Sequence, residues 1–599
     1  MLSNILKKLL SVIPLLLIIS IVLFILINAL PGDATMSMIG ETADEEYVAQ
    51  LREKMGLDKP VVARYFSWLV DVLQGNLGES LVSSETVTQK IKMRLPITLE
   101  ITLISMLISV LIALPFGVLS AIKRGSAVDT VGSVVSMLGV AMPSFWLGLL
   151  LVMYFSVQKG LLPASGFTSF SQDPVKNLRC IILPCVSIGF GFAATVMRQT
   201  RSSLLEVLQQ DYIMTAQAKG LRNRIVIWKH AMRNALIPVL TVTAMQIGRL
   251  IGGAVVTDPR HGQRHRFLRS EPGLSRCDGY DYGGCGHRCS DQYLCRRFVY
   301  SDRPAHQRQA EERIEVKHMS NGKKTLRKLL KNKLAVLGMV ILVILVIMAV
   351  FAPQISGTDD PNEMDYANIF VKPCAEHPFG TDDLGRDMWA RVVYGAKYTI
   401  VVGIFTVAIS MVLGTTLGLL SGYYGGAIDR VITSAMDAIW SLPTMILALA
   451  ITAALGSGLR NCIIAIGICF TPAFARVVRS MVMTVREMEY VQSAKAIGLN
   501  DFEIIVRYVL PNVTPVIIVQ ASLNAAQAII SEASLSFLGL GIQPPDASWG
   551  YLLKTAQQYM GRAPWLSVIP GLMILIVVLA LNFVGDGLRD ALDVRLKAD

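Results

Sequence analysis

Long runs of mainly apolar residues with few charges recur from one end of the chain to the other. A helix that crosses the hydrocarbon core of a bilayer needs about 20 such residues, and the chain has five runs of this kind in its first part and six in its second. They lie at 9–30, 97–122, 131–157, 178–197 and 234–256, and at 334–353, 398–422, 431–456, 461–475, 513–535 and 564–585. The pattern predicts an all-α polytopic membrane protein with about 5 + 6 spans.

Basic residues cluster in particular loops between these runs. In the first part the clusters lie at 7–8, 123–124 and 198–233, and in the second part at 323–333 and 476–507. Lys and Arg are retained on the cytoplasmic side of a membrane, so both parts are predicted to start inside, and the topology repeats in parallel. The net charge of +12 is therefore assigned to cytoplasmic loops and not to a surface that binds nucleic acid.

The two parts of the chain also match residue by residue. Segment 211–221 aligns with 489–499, with identical Tyr, Gly and Leu and two identical Ala. An Asp and a later Pro keep the same separation in both parts, as Asp129 and Pro143 and as Asp429 and Pro443. Small residues recur at four-residue spacing in the second span of each part, namely Ala113, Gly117 and Ala121, and Gly414, Gly418 and Gly422. Such stripes permit close approach of helix backbones, and the agreement predicts two copies of one module.

Segment 257–318 fits neither copy. It holds 11 arginines but a single lysine, with four of the nine cysteines and five of the seven histidines of the chain, and this composition differs from that of both flanks. We interpret it as DNA read in a shifted frame between two joined genes, the second of which begins at Met319. The predicted division is a first module at 1–256 that is one span short, an aberrant junction at 257–318, and a second module at 319–599.

Two other interpretations of the junction stay open. It could be a basic linker, or it could bind a metal ion through thiolates and an imidazole. The spacings disfavour a metal site because no C-x-x-C pair is present, and we predict no metal and no cofactor. The residues concerned are Cys277, Cys285, His287, Cys289 and Cys295.

The repeated cytoplasmic segment resembles the EAA loop of inner-membrane permeases of binding-protein-dependent ABC importers. The matching positions are Tyr212, Ala216, Gly220 and Leu221 in the first part, and Tyr490, Ala494, Gly498 and Leu499 in the second. Further segments resemble two partner subunits of the dipeptide, oligopeptide and nickel branch of that family. They are 31–33, 75–78 and 94–98 in the first part, and 377–387 and 532–541 in the second.

This resemblance implies a permease of the bacterial inner membrane that forms the translocation path of an ATP-driven importer for dipeptides, oligopeptides, nickel or related solutes. It also implies separate ATP-hydrolysing subunits, which the EAA-like loops contact, and a substrate-binding protein outside the membrane. The residues themselves suit such a loop. Small side chains at Ala216 and Ala494 permit close contact with a partner, and Gly220 and Gly498 can adopt the positive φ that ends a helix.

The chain lacks the sequence signatures of catalysis. No G-x-x-x-x-G-K-[ST] phosphate-binding loop occurs, so the ATPase is expected on other chains. No Ser-His-Asp set, Cys-His set or carboxylate pair suggests chemistry on a substrate. We therefore predict that the protein is not an enzyme.

Ionisable residues within apolar spans are candidates for the translocation path, because charge at membrane depth costs about 2.5–3.5 kcal/mol or more. Glu100, Arg249 and Glu532 meet this criterion. Glu100 can equally lie near an interface, and Arg249 can line a packed interior. Both interpretations stay open from sequence.

Three rival functions remain. A secondary transporter would need ion-coupling carboxylates and usually has inverted repeats, whereas these repeats are parallel. A metal-sensing receptor would depend on 257–318. The fused product could also be inactive, because five spans place residue 257 outside when residue 1 is inside, whereas the second module has a basic start that belongs inside.

Overall fold

Helices form all the regular secondary structure in the part of the chain that the computed structural model describes, which is residues 60–79, 85–257 and 325–592 together with five positions between 16 and 24. From residue 60 onwards, the described residues of the first part contain seven α-helices of eight or more residues. They are α1 Val61–Leu73, α2 Val87–Ile122, α3 Ala127–Ala141, α4 Ser144–Leu151, α5 Pro174–Leu208, α6 Asp211–Ala218 and α7 Met232–Thr257.

The second part repeats this order and adds helices at its end. They are α8 Lys333–Val350, α9 Ala352–Ser356, α10 Met388–Tyr424, α11 Gly426–Ser441, α12 Thr444–Leu455, α13 Leu459–Arg486, α14 Glu489–Ala496, α15 Leu510–Leu538, α16 Trp549–Ala556 and α17 Trp565–Leu592.

Polar side chains fix where several of the long helices begin. The Thr86 hydroxyl accepts a hydrogen bond from the Gln89 amide, and the Gln89 side chain accepts one from the Thr86 amide, so α2 starts with a capping box. Asp173 caps α5 by accepting from the amides of Val175 and Lys176. These bonds satisfy backbone donors that the first turn of a helix leaves without a partner.

Seven segments in the described residues are long and apolar enough to cross a membrane: α2, α5, α8, α10, α13, α17 and the segment Asp501–Leu538 that ends with α15. The pairs α3–α4 and α11–α12 make nine if each counts as one span. The predicted run 234–256 lies within α7, and the run 9–30 lies outside the described residues apart from the five positions already given. The predicted class, a two-module all-α membrane protein, is confirmed.

The predicted spans 131–157 and 431–456 need a correction, because each is a bent pair of helices and not one straight helix. The angle is 100° between α3 and α4 with its extension to Gln158, and 91° between α11 and α12. Met142 and Leu442, which precede the two prolines, are extended, with ψ of 119° and 138°. A residue before proline is forced out of the helical region by contact with the proline ring, so the bend falls at the same place in both modules.

The small-residue stripes lie where the sequence predicts close packing. In the first module α2 packs on α5, and a Cβ added to Gly117 would lie 2.9 Å from the carbonyl oxygen of Met197. In the second module α10 packs on α13, and a Cβ on Gly418 would lie 2.7 Å from the carbonyl oxygen of Ala475. Any larger residue would push the helices apart, so this prediction is confirmed.

The two modules pack against each other through their bent pairs. Phe145 on α4 stacks on Phe537 of α15 with ring centroids 4.7 Å apart. The neighbouring Trp146 donates a hydrogen bond from its indole nitrogen to the carbonyl oxygen of Ser567 at 3.0 Å, and its ring lies against Gly571. The corresponding contact of the second module joins α12, the second helix of its bent pair, to α7 of the first module. Each bent pair therefore reaches the boundary between the modules.

Candidate coupling site

Two short helices with the same construction hold the residues that the sequence assigns to partner contact. Both α6 and α14 have eight residues and begin with an acidic residue, Asp211 or Glu489, whose charge favours the positive end of the helix dipole. Both end at a glycine in the left-handed region, where Gly220 has a φ of 76° and Gly498 a φ of 87°. This conformation is the one that the sequence predicts.

The end of each helix is closed by the same pair of backbone bonds. The Gly220 amide donates to Gln217 at 2.9 Å and the Leu221 amide to Ala216 at 3.4 Å. In the second module, the amides of Gly498 and Leu499 donate to Lys495 and Ala494 at 3.0 and 3.3 Å. Bonds of this kind satisfy carbonyl groups at a helix end and need a residue with positive φ.

The alanines of the two helices require a correction. The sequence predicts that Ala216 and Ala494 face a partner, but their exposed fractions are 7% and 3%, and both pack into the module that carries them. Ala216 and Ile213 contact a cluster that includes Leu204, and Ala494 and Val491 pack in the matching cluster of the second module. Their small size lets each short helix lie close to its own long helix.

The outward faces of the two helices are partly apolar. The exposed positions of the first loop include Tyr212, Met214, Gly220 and Leu221, and those of the second include Tyr490, Ile497, Gly498 and Phe502. Ile497 and Phe502 are 80% and 76% exposed. The Leu499 side chain is half-buried, whereas that of Leu221 is exposed. Such a surface is typical of a docking site.

The two tyrosines have different surroundings. The Tyr212 hydroxyl accepts a hydrogen bond from the Asn234 side-chain amide at 2.8 Å, which joins α6 to the start of α7. Desolvation raises the pKa of the Tyr490 phenol above its usual value, so this side chain stays neutral at physiological pH. Asn512, the counterpart of Asn234 in the second module, donates to the carbonyl oxygen of Tyr508 at 2.7 Å and not to Tyr490.

A π-helical turn follows each short helix at a matching position. These turns are Val226–Ala231 before α7 and Ile505–Val509 before α15. Isolated π-helical turns within helices are frequent at functional sites because they interrupt the regular backbone bonding. No sequence signal pointed to them, since their residues are ordinary helix and strand formers.

The structure also joins residues that sequence reasoning left separate. In the first module, Arg201 on α5 binds both carboxylate oxygens of Asp129 on α3, at 2.7 and 2.9 Å. The Ser120 hydroxyl at the end of α2 donates to the same carboxylate at 2.5 Å, and the Gly125 amide does so at 3.0 Å. We call Asp129 with Arg201 the first clamp.

The second module has the same arrangement. Arg479 on α13 binds both carboxylate oxygens of Asp429 on α11, at 2.5 and 2.6 Å. The Ser421 hydroxyl on α10 donates to Asp429, and Thr433 donates at 3.1 Å. We call Asp429 with Arg479 the second clamp. The repeated Asp positions and the matching basic segments were visible in the sequence, but nothing there showed that they meet.

The arginines near the membrane surface thus have specific partners. Arg201 and Arg479 hold the clamps, and Arg476 forms an exposed ion pair with Asp437 at 2.7 Å and lies over the Trp440 ring at 4.2 Å. A role in setting topology is compatible with these contacts, because each arginine also lies at the end of a long apolar helix.

The three candidate pathway residues have different settings. Glu532 on α15 is buried, and its carboxylate accepts a hydrogen bond from the Ser536 hydroxyl at 2.6 Å. Glu100 on α2 is half-buried, and its Oε1 has no hydrogen-bond partner among the described residues. The backbone of Arg249 belongs to α7, and its side chain lies outside the described part. Their assignment to the pathway stays a prediction.

No metal-binding group of three or more His, Cys, Asp or Glu side chains is found where the structure describes the chain. Segment 257–318, to which the metal and reading-frame hypotheses refer, lies outside the described residues apart from Thr257. Both hypotheses therefore stay predictions.

The duplicated bundle, with seven to nine candidate spans in the described residues, is that of a polytopic membrane protein. The family described as binding-protein-dependent transport system inner membrane component matches residues 113–258 and 414–598, which is more than half of the chain. The chain belongs to this family. The N-terminal part of the membrane component of binding-protein-dependent transport systems matches 1–102, and the N-terminal transmembrane domain of oligopeptide transport permease C matches 320–373.

Individual relatives cover one module each. The dipeptide transport system permease protein of Alkalihalophilus pseudofirmus is 44% identical over 280 residues, which is 47% of this chain and 92% of that protein. The glutathione transport system permease protein of Pectobacterium atrosepticum is 41% identical over 272 residues, 45% of this chain and 90% of that protein. A family match that occurs twice, with relatives about half as long, indicates two permeases in one chain.

The protein is therefore a multi-pass permease of the bacterial inner membrane that serves an ABC importer and contains a fused pair of permease modules. The family works with ATP-hydrolysing and substrate-binding partners. The comparisons do not favour the alternatives of a secondary transporter or an inactive product.

Proposed function

We propose that α6 and α14 each dock on a separate ATP-hydrolysing subunit and couple its movement to a path for peptides between the two modules. The observation that supports this proposal best is the pair of short helices. They have the same backbone construction, and both present exposed apolar side chains. The contacting residues are Tyr212, Gly220 and Leu221 in one loop, and Tyr490, Gly498 and Leu499 in the other. Ala216 and Ala494 hold each loop to its own module.

The proposed coupling is a rigid-body movement. Ile213 and Val491 are buried in their modules, so displacement of a short helix is transmitted to the long helix before it. Packed helices move as units because cores do not deform continuously. Binding of ATP on the partner would thereby switch the access of the path.

The substrate and the supporting partners follow from the relatives. One relative is named for dipeptides and another for glutathione, both small peptides, so we propose a short peptide delivered by an external binding protein. The chain itself would carry out no bond chemistry, because it has no phosphate-binding loop. The candidate path residues remain Glu100, Arg249 and Glu532. We further propose the division into modules 1–256 and 319–599 with a junction at 257–318.

Site-specific photo-crosslinking tests the docking proposal. A photoreactive amino acid at Met214 or at Ile497, which are 54% and 80% exposed, should crosslink to the ATPases when the chain is produced with the ATPases and binding protein of a peptide importer. The same amino acid at Leu111, which is 63% exposed on the apolar surface of α2, is the matched control and should give no such product. Crosslinks from 214 and 497 to the external binding protein would contradict the proposal.

A transport measurement completes the test. Proteoliposomes with the full chain and its ATPases, with the binding protein outside and ATP enclosed, should accumulate a labelled dipeptide, and those without ATP should not. Uptake without ATP that follows an ion gradient would indicate a secondary transporter instead.

A further inference from the structure

We propose that the two clamps are positioning elements of transport, which tie the movement of each coupling helix to the bent pair that reaches the module boundary. This inference rests on the proposed coupling role of α6 and α14. It assigns a function to Asp129, Arg201, Asp429 and Arg479 that is separate from the docking surface.

Each clamp arginine lies at the same place relative to its coupling helix. Arg201 precedes Asp211, the first residue of α6, by ten positions, and Arg479 precedes Glu489, the first residue of α14, by ten positions. The long helices end at Leu208 and Arg486, seven residues after the clamp arginines, so at 1.5 Å per residue the clamp lies about 10 Å along the helix from the turn before the coupling helix. A continuous helix of this length moves as a rod, so a displacement of the coupling helix reaches the clamp.

The carboxylate of each clamp is a meeting point of three helices. In the first module Asp129 belongs to the first turn of α3, Arg201 to α5 and Ser120 to the end of α2. The Asp129 side chain is 8% exposed and that of Asp429 is 21% exposed. A bidentate guanidinium–carboxylate contact fixes both distance and orientation, and partial burial limits screening by salt. The first helix of the bent pair must therefore follow the long helix.

The far end of the bent pair lies at the boundary between modules. Pro143 starts α4, where Phe145 stacks on Phe537 and Trp146 bonds to Ser567. In the second module α12 packs on α7. A continuous series of packed elements thus runs from each coupling helix, through its clamp and bent pair, to the surface along which the modules separate.

A plain structural role predicts a different result from a positioning role. If a clamp only stabilises its module, its loss would lower the amount of folded permease and would leave the peptide transported per ATP unchanged. If a clamp positions the bent pair, its loss would leave ATP hydrolysis active and would reduce the peptide transported per ATP. The ratio of transported peptide to hydrolysed ATP separates the two.

The experiment uses the full chain with its ATPases and binding protein in liposomes. Asp129→Asn, Arg201→Gln, Asp429→Asn and Arg479→Gln should each retain ATP hydrolysis and lower the transport-to-ATP ratio by about fivefold. The double variant of one clamp should be no worse than its single variants, because both remove the same contact. Arg201→Lys keeps the charge without the paired contacts, so its transport-to-ATP ratio should lie between those of the unchanged protein and Arg201→Gln.

The pair Asp437 and Arg476 is the matched control. It also joins α11 to α13, but both side chains are nearly half exposed, at 45% and 48%, and the first module has Met137 at the position that matches Asp437. Arg476→Gln should leave the ratio within about twofold of the unchanged protein, as expected for an exposed pair. An equal fall in this variant would overturn the proposal, since any charge between these helices would then suffice.

Other outcomes are equally decisive. An unchanged ratio in the clamp variants, with the ATPases still bound, overturns this inference but not the proposed function. Loss of ATPase binding in those variants overturns it as well, because the clamps would then shape the docking surface. ATPases that never bind the unchanged chain refute the proposed function itself. If Asp129→Asn lowers the amount of folded permease, Ser120→Ala and Ser421→Ala are measured instead. Each should lower the ratio of transported peptide to hydrolysed ATP by about twofold. An unchanged ratio would contradict the proposal.

Discussion

The two coupling loops share a backbone but differ in surface chemistry. Residues 212–233 contain five Lys or Arg and no Asp or Glu, whereas 490–511 contain two of each sign. Even so, the short helix of each loop ends at a left-handed glycine, packs an alanine inward and precedes a π-helical turn. The difference teaches that the geometry depends on a few repeated positions, and that the exposed residues are free to suit a different partner surface on each side.

The same contrast holds at the module boundary, where Trp146 has Ile446 as its counterpart. Trp146 is 2% exposed and bonds to Ser567, whereas Ile446 is only partly buried. Trp146→Ala should destabilise the protein by about 3–5 kcal/mol, because it leaves a cavity and an unpaired carbonyl group. Ile446→Ala is the matched control.

Thermal unfolding in detergent measures both variants. We expect a clear loss of stability for Trp146→Ala and a loss less than half as large for Ile446→Ala. Equal effects would show that the two bent pairs contribute alike to the boundary.

The clamps differ in burial, so their contributions to stability should differ too. Removing one partner of a fully buried pair costs about 3–5 kcal/mol, and an exposed pair contributes about 1 kcal/mol or less. Arg201→Gln should therefore cost about 2–3 kcal/mol and Arg479→Gln about 1–2 kcal/mol. Denaturant midpoints of the two variants check the order, and a larger loss for Arg479→Gln would reverse the comparison.

The glycines that end the coupling helices give a smaller effect on stability. A Cβ meets no atom within 4 Å at Gly220 or Gly498, so Gly→Val costs only the strain of positive φ, about 1–2 kcal/mol. That strain should move the coupling helix and lower peptide uptake by about tenfold while membrane insertion continues.

Gly160→Val is the control for this strain, since Gly160 also has a positive φ, 63°, and open surroundings, but lies outside both coupling loops. Its uptake should stay normal. Normal uptake in both Gly220→Val and Gly498→Val would contradict the coupling role of these turns.

The smallest effect is expected for the exposed pair of the second module. Arg476→Gln should change the free energy of unfolding by about 0.2–1 kcal/mol, because water and salt screen the charge. Added salt should lower the stability of the unchanged protein towards that of the variant. A loss as large as that of Arg201→Gln would remove the distinction between buried and exposed pairs.

Several features of the fold and site were predictable because they are local in sequence. The spans follow from apolar runs long enough for a bilayer, and the ends of α6 and α14 follow from Gly220 and Gly498. The stripe of Gly414, Gly418 and Gly422 predicted close packing correctly, since helical spacing alone places these residues on one face.

Other features depended on contacts that the pattern does not contain. The sequence analysis expected Ala216 and Ala494 to face a partner, whereas both pack inward, because the rotation of a short helix depends on the core beneath it. The bends at Pro143 and Pro443 were missed because each proline lies inside a long apolar run that was taken as one span, although the residue before a proline is disfavoured in a helix.

The sequence by itself determined the membrane class, the parallel duplication and the position of the coupling loops, because apolar length, loop charge and local identity are properties of neighbouring residues. Only the tertiary structure decided that Asp129 meets Arg201, Asp429 meets Arg479 and Trp146 meets Ser567, pairs separated by 72, 50 and 421 positions. The physical reason is that such contacts depend on how helices of fixed length cross and rotate, and this is set by packing over the whole bundle.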